Sequence, residues 1–262
     1  MSNKPYKGFE PNWLLTPAPE NSYRSIFRWG DPNFFKYPKE SLYTLMKEKF
    51  QMTDDDFKAY SDDTGFDPVE LPDHPVQLAP EHIDALKAIV GEQNLSTTDY
   101  DRLSVAYGAT AYDLLRLRHK RIDSVPDVVL YPETSEQVEQ IVAYSTEHHI
   151  PLYVYGGGSS VTRGVEPTKG GISLDMRRNF NKVISFNEID QTITVQAGMS
   201  GPDLEKTLQN APELFGAKRQ YTCGHFPQSF EYSSVGGWTV TRGAGQNSTY
   251  YGTIADIVLS QK

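Results

Sequence analysis

Three glycines and two hydroxyls follow directly on an apolar run in Val154-Tyr155-Gly156-Gly157-Gly158-Ser159-Ser160-Val161, and these are the residue types that cradle phosphate. Glycine reaches positive φ and lets successive backbone N–H groups approach an anion, while Ser159 and Ser160 add hydroxyl donors. A second stretch, Pro227-Gln228-Ser229-Phe230-Glu231-Tyr232-Ser233-Ser234-Val235-Gly236-Gly237-Trp238, repeats the composition. There Gly236 and Gly237 precede Trp238, Val240 and Arg242 in what reads as a helix whose start approaches something closely, and a helix start aims N–H groups at anions. Arg242 either pairs with a phosphate or solvates the helix. The first loop alone is equally explained as a tight turn without a ligand. Two such segments point to one site for a large anionic cofactor.

The order of elements around the loop separates the glycine-rich alternatives. Val128 to Tyr131 reads as a short apolar strand closed by Pro132, and Thr134 with Gln137 forms a capping box for a helix burying Val138, Ile141, Val142 and Ser145. Leu152 to Tyr155 is a second strand, so residues 127–155 form a βαβ unit with the glycine loop at its carboxyl end, where open α/β sheets bind ligands. Strands over Ile172 to Asp175, Lys182 to Asn187 and Thr192 to Gln196 follow, then a helix from about Ser200, boxed by Asp203. A dinucleotide-binding βαβ fingerprint needs a helix directly after the glycine turn, yet 161–171 has no helical face; a Walker loop needs Gly-Lys-Ser/Thr, which is absent. The reading is an α+β fold.

The first hundred residues lean helical. Residues 1–40 are rich in Pro and aromatics (Trp13, Phe27, Trp29, Phe34, Phe35, Tyr37), as in an arm that packs onto another surface. Ser41 to Phe50 and Pro80 to Val90 carry helical spacing, and acidic Asp54 to Asp73 reads as loops. Near the carboxyl end, Ile254 to Leu259 reads as an apolar strand.

With 262 residues and 38% hydrophobic content the chain can bury a substantial core. A net charge of −9 and a pI near 5.2 argue against nucleic acid as the main partner. No apolar run reaches the roughly 18 residues of a transmembrane helix, and the first ten residues lack the core of a secretory signal. One cysteine, Cys223, excludes an internal disulfide and fits a reducing compartment; the expected address is the cytoplasm.

Pro126-Asp127-Val128-Val129 with Pro132, the run at 155–161, Ser173-Leu174-Asp175, and SSVGGW with the following TR and YG pairs resemble the FAD-binding (PCMH-type) module of the vanillyl-alcohol-oxidase superfamily over residues 125–262. Arg28-Trp29-Gly30, Phe34-Phe35, Asp101-Arg102 ahead of Ala106-Tyr107-Gly108, the leucine and arginine helix at 114–121 and Gly224-His225-Phe226-Pro227 resemble one branch, the alkyldihydroxyacetonephosphate synthases.

The resemblance implies a two-subdomain fold gripping an extended FAD, with an amino-terminal arm and helical region over 1–120. Tyr155, Gly156, Gly157, Gly158, Ser159, Ser160 and Val161 would face the pyrophosphate. Pro227, Gln228, Ser229, Phe230, Glu231, Tyr232, Ser233, Gly236, Gly237 and the turn Thr241, Arg242, Gly243, Ala244 would also line the cofactor. Gln228 departs from the acid usual in this branch. Relatives that attach flavin covalently use a histidine where this chain has Ser159, so the flavin is expected to be non-covalent. The branch replaces the acyl chain of a ketose phosphate by a fatty alcohol with no net redox change; other relatives oxidise 2-hydroxy acids or alcohols. The remainder of the FAD domain and a substrate domain are expected to be absent from this chain, with a second chain, the missing carboxyl-terminal domain or a homodimer as partners beside a small-molecule substrate. A non-catalytic flavin-binding module is the alternative.

His225 is the catalytic candidate, either moving a proton at the flavin face or serving as a hydrogen-bonded structural histidine. Cys223, two residues away, raises a weaker nucleophile-pair reading. His148 and His149 end a helix, and His74, His82 and His119 lie on polar stretches. Arg116, Arg118, Lys120 and Arg121 form a basic cluster best read as a solvated helix end.

Overall fold

The computed structural model describes residues 17–26, 39–58 and 65–262. The aromatic arm is therefore seen only in part, and Trp13, Phe27, Trp29, Phe34, Phe35 and Tyr37, with the Arg28-Trp29-Gly30 motif, lie outside the described residues. The described arm folds inward: Tyr23 and Ile26 share a buried cluster with Val69, Leu71, Leu103, Tyr107, Leu117 and Val125.

Helices α1 (Glu40–Phe50) and α3 (Pro80–Val90) stand where the spacing places them, α3 with Pro in its first turn. Between them Asp54–Lys58 forms a short α2 where a loop is expected. Its cause is local: Asp56 accepts from the Thr53 N–H at 2.6 Å, Thr53 Oγ1 accepts back from the Asp56 N–H, and three aspartates suit the positive helix start. Next come β1 (Leu95–Ser96), α4 (Asp99–Ser104, capped by Thr98) and α5 (Ala111–Arg118, with a Thr110/Asp113 capping box).

Strand β2 (Val128–Leu130), α6 (Ser135–Glu147), β3 (Leu152–Tyr155) and β4 (Ile172–Asp175) follow. Thr134 caps α6 by accepting from the Gln137 N–H, but the Gln137 side chain reaches one residue further back, to the Glu133 N–H at 2.7 Å. The sheet order is β1-β2-β4-β3, with β1 antiparallel and the rest parallel. β2 and β3 are therefore not neighbours, as a simple βαβ unit would have them; β4 enters between, pairing Ile172 with both Val128 and Leu152. All four residues of β4 are buried, as a central strand requires.

One sheet face (Val128, Leu130, Ile172, Leu174) packs on Leu86 and Val90 of α3 and Ile141 of α6. The other carries Val129, Tyr131 and Tyr155 against Val105. On α6 the buried stripe runs through Val138, Ile141 and Ser145; Val142 is turned out and 46% exposed, against expectation. One residue on from Ile141 the helix has rotated ~100°, beyond the edge of a stripe this narrow.

A second unit follows. β5 (Val183–Asn187) and β6 (Thr192–Val195) form a separate antiparallel ribbon, followed by α7 (Gly201–Gln209), α8 (Ala211–Phe215), α9 (Val235–Thr241), α10 (Ser248–Tyr251) and α11 (Ile254–Ile257), with a core centred on Met199, Leu204, Leu208, Trp238 and Ile254. The 254–259 run is thus a helical turn and not a strand, because a Thr253/Asp256 capping box starts a helix there and Leu259 is exposed. Short apolar runs do not separate strand from helix by periodicity. Among the described residues no helix is long and apolar enough to cross a membrane.

Candidate functional site

β3 ends at Tyr155, and the glycine loop leaves the sheet at its carboxyl edge. Only Gly158 needs the left-handed region (φ +70°). Gly156 and Gly157 are glycine for a different reason, because methyls on them would overlap the Ser234 hydroxyl and the Tyr232 carbonyl oxygen. The two segments singled out from sequence therefore touch. The second is pinned to the ribbon unit through Gly201 N–H to Ser233 O at 3.3 Å, Val235 N–H to Met199 O at 2.9 Å and Gly236 N–H to Ala197 O at 2.8 Å.

A cavity of about 380 Å³ opens at this junction, lined by Gly157, Glu231, Tyr232, Ser233 and Ser234 together with Ser25, Arg177, Asn181, Gly198, Ser200 and Asp203. Its volume falls within the range of small-molecule and cofactor sites. Of the glycine loop only Gly157 lines the cavity, and among the described residues the N–H groups of Gly156 to Ser160 donate to no protein acceptor. A run of free main-chain donors at a strand end fits an anionic ligand. On the second wall the donors are already in use: Gly236 serves Ala197, and Gly237 donates to its own cap, Ser234 Oγ, at 3.4 Å. Ser233 is likewise committed, giving its hydroxyl to Ser229 O at 2.7 Å and receiving Trp238 Nε1 at 2.6 Å, while the Phe230 ring lies between Phe226 and Trp238.

The turn beyond α9 stands away from the cavity. Thr241 bonds back to Gly237 O, Arg242 is the left-handed C-cap with an exposed side chain, and Gly243 N–H closes onto Trp238 O at 3.0 Å. Tyr155, Gly156, Gly158, Ser159, Ser160, Val161, Pro227, Gln228, Ser229, Phe230, Gly236, Gly237 and Ala244 are also outside the cavity wall, so of the residues expected to line the cofactor it holds Gly157, Glu231, Tyr232 and Ser233.

Arg177, which the sequence reading did not single out, is the cation at this wall. Its Nε donates to Asp175 Oδ1 at 3.0 Å and its guanidinium lies 4.7 Å from the Tyr155 ring centre. Asp175 ends β4 beside Tyr155, so the signal that could have found Arg177 is its place just past a strand end.

His225 is not in the cavity wall. It is 1% exposed, edge-on to Trp238 with ring centres 5.1 Å apart, and neither ring nitrogen has a partner among the described residues. Burial pushes its pKa below the ordinary histidine value, so the ring is neutral near pH 7. Cys223 makes no pair with that imidazole: its Sγ contacts the His225 carbonyl at 3.5 Å, and burial pushes the thiol up to about 11. Of the other histidines, His74 and His82 meet Ile122 O and the Tyr144 hydroxyl, and His119 and His148 are helix C-caps.

The basic cluster also differs from a solvated helix end. Arg118, Lys120 and Arg121 are exposed, but Arg116 is 2% exposed and held by Asp113, Asp123 and Glu166. A one-dimensional run of charge does not reveal which member faces inward. Among the described residues no group of three His, Cys, Asp or Glu could hold a metal.

Known proteins share this architecture. An alkyldihydroxyacetonephosphate synthase of Dictyostelium discoideum is 30% identical over 234 residues, 87% of this chain and 37% of that protein. A mitochondrial D-lactate dehydrogenase (cytochrome) of Arabidopsis thaliana is 30% identical over 186 residues, 71% of this chain and 30% of its own length. A solved alkyldihydroxyacetonephosphate synthase superposes with a TM-score of 0.69 at 30% identity, covering 84% of this chain and 38% of that one. The chain thus spans little more than a third of these synthases, and its α+β architecture is that of PCMH-type FAD-binding proteins. Residues 126–262, more than half of the chain, match the family described as FAD binding domain; the chain belongs to that family, and its cofactor is FAD.

Proposed function

We propose that the chain holds FAD non-covalently, with the diphosphate on the free N–H groups of Gly156 to Ser160, as part of an enzyme acting like the alkyldihydroxyacetonephosphate synthases. The observation that carries this is the row of unused main-chain donors in a loop that meets the cavity at Gly157. Ser159 and Ser160 add hydroxyls, and Tyr155 and Val161 flank the loop. Arg177, steadied by Asp175 and Tyr155, supplies positive charge beside it. Glu231 and Tyr232 continue the wall on the second segment, while the Thr241 to Ala244 turn stays outside it. Ser233, Gly236 and Gly237 keep these walls together and do not donate to the cofactor.

Bound FAD supplies an electrophilic ring that takes and returns an electron pair. The chain's part is to fix the diphosphate and to pack the Phe226, Phe230 and Trp238 rings around a buried, neutral imidazole, His225, the acid/base candidate. The reaction supported best is exchange of the acyl group of an acylated ketose phosphate for a long-chain alcohol. Similarity to the D-lactate dehydrogenase supports oxidation of a 2-hydroxy acid as the second reading.

The test is reconstitution of the chain with FAD, followed by assay of the enzyme that contains it with acyl-dihydroxyacetone phosphate plus a long-chain alcohol and, separately, with D-lactate plus an electron-accepting dye. Ether-lipid product without dye reduction is the expected result; dye reduction by D-lactate alone selects the second reading. FAD binding without turnover of either pair selects the non-catalytic module, and failure to retain FAD overturns the site.

A further inference from the structure

We infer that Arg116, which lies ahead of the family's matched region, is a positioning residue for the cofactor loop: its buried guanidinium ties α5 to the segment directly following Gly156–Ser160.

The geometry is specific. Arg116 Nη2 donates to Glu166 Oε1 at 2.8 Å and to Asp123 at 2.5 Å, while Nη1 lies 3.4 Å from Asp113. Its guanidinium carbon is 4.3 Å from the Tyr107 ring centre. The second oxygen of Glu166 accepts from Arg163 Nε at 2.7 Å, and Arg163 holds a left-handed φ of +64°. Glu166 is thus anchored on one side by a buried cation from the amino-terminal region and grips on the other a strained residue three positions back, at the exit of the glycine loop. The loop itself is seated on the same region. Ala109 N–H donates to Ser160 O at 2.8 Å, and Gly108 has no room for a methyl because Ser160 O fills that space.

A buried ion-pair cluster of this kind adds little net stability but favours one geometry, since displacing Glu166 would take its charge from Arg116 within a dry interior. The loop's N–H groups make no bonds of their own that could order them. Their alignment therefore depends on the two ends of the loop, one fixed by β3 and the other by Ser160 and the Arg116–Glu166 pair. This inference rests on the reading of Gly156–Ser160 as the diphosphate cradle.

The experiment uses the 262-residue chain and two readouts: the FAD dissociation constant from flavin fluorescence, and amide hydrogen exchange over 156–166 without flavin. Arg116→Gln and Glu166→Gln are each expected to weaken FAD on the order of tenfold and to speed exchange in that window, with the double variant no worse than Arg116→Gln alone. If Arg116→Gln does not fold, the shape-conserving Glu166→Gln decides. Wild-type exchange and affinity in the folded variants would overturn the inference. Gly158→Ala separates this from the underlying reading: FAD retained there overturns the cradle, whereas FAD lost there but kept by both pair variants overturns the latch alone.

Discussion

The α-carbon of Gly157 faces the carbonyl oxygen of Tyr232 so closely that no side chain fits between them. Both partners are backbone, so nothing flexible can yield. Gly157→Val is expected to push the glycine loop from the 227–234 segment, abolishing FAD retention and costing about 1–3 kcal/mol of stability. Fluorescence titration and thermal unfolding report the two effects. Undiminished flavin affinity would remove the loop from the site.

His225 should leave a pH signature. Its folded pKa is depressed by burial below the 6.5 of the free side chain, so on acidification the unfolded chain takes up the proton first. Stability from this group is complete above about pH 6.5 and is lost as pH falls toward the folded value, at up to about 1.4 kcal/mol per pH unit. Chemical unfolding of His225→Leu between about pH 7 and pH 5 is expected to show a shallower decline than wild type. An identical slope would mean that the ring finds a partner in solution.

The same residue has a kinetic test. His225→Ala in the active enzyme is expected to keep FAD and to lose turnover by ~10²- to 10⁴-fold, the usual effect of removing an acid/base group. An unchanged rate would return the ring to a purely structural role beneath Trp238.

Cys223 should be inert. With its thiol pushed up to about 11 and its sulfur turned to the His225 carbonyl, almost none is thiolate at pH 8. Iodoacetamide is expected to label the folded chain only after denaturant is added, and Cys223→Ser should bind FAD like wild type. Rapid native labelling would show that the pocket around Cys223 opens.

The flavin should leave on acid precipitation. Ser159 can donate to phosphate but makes a poor covalent linker, and Cys223 lies outside the loop, ahead of the second segment, so no side chain of the loop is suited to trap the ring. All yellow colour is expected in the supernatant; flavin in the pellet would contradict the Ser159 assignment.

Local physics was legible in the chain itself. Thr134 and Ser200 announce helix starts because a hydroxyl answers a nearby N–H three residues on, and the change from period two to period 3.6 separates β2, α6 and β3 without reference to anything distant. The glycine runs at 156–158 and 236–237 likewise mark close approach. What each approaches is a matter of tertiary structure, since Gly157 meets Tyr232 and Gly236 meets Ala197 across long stretches of chain. Insertion of β4 between β2 and β3 follows from hydrogen-bond pairing that leaves no trace in either strand's own pattern. Burial decided the rest. Arg116 and Arg118 look alike in sequence, and only packing against Tyr107 and Glu166 makes one an internal tie while the other stays in water. His225 reads equally as an acid/base or as a hydrogen-bonded structural histidine until Trp238 is laid against it, because desolvation depends on everything that surrounds a group and not on its neighbours along the chain.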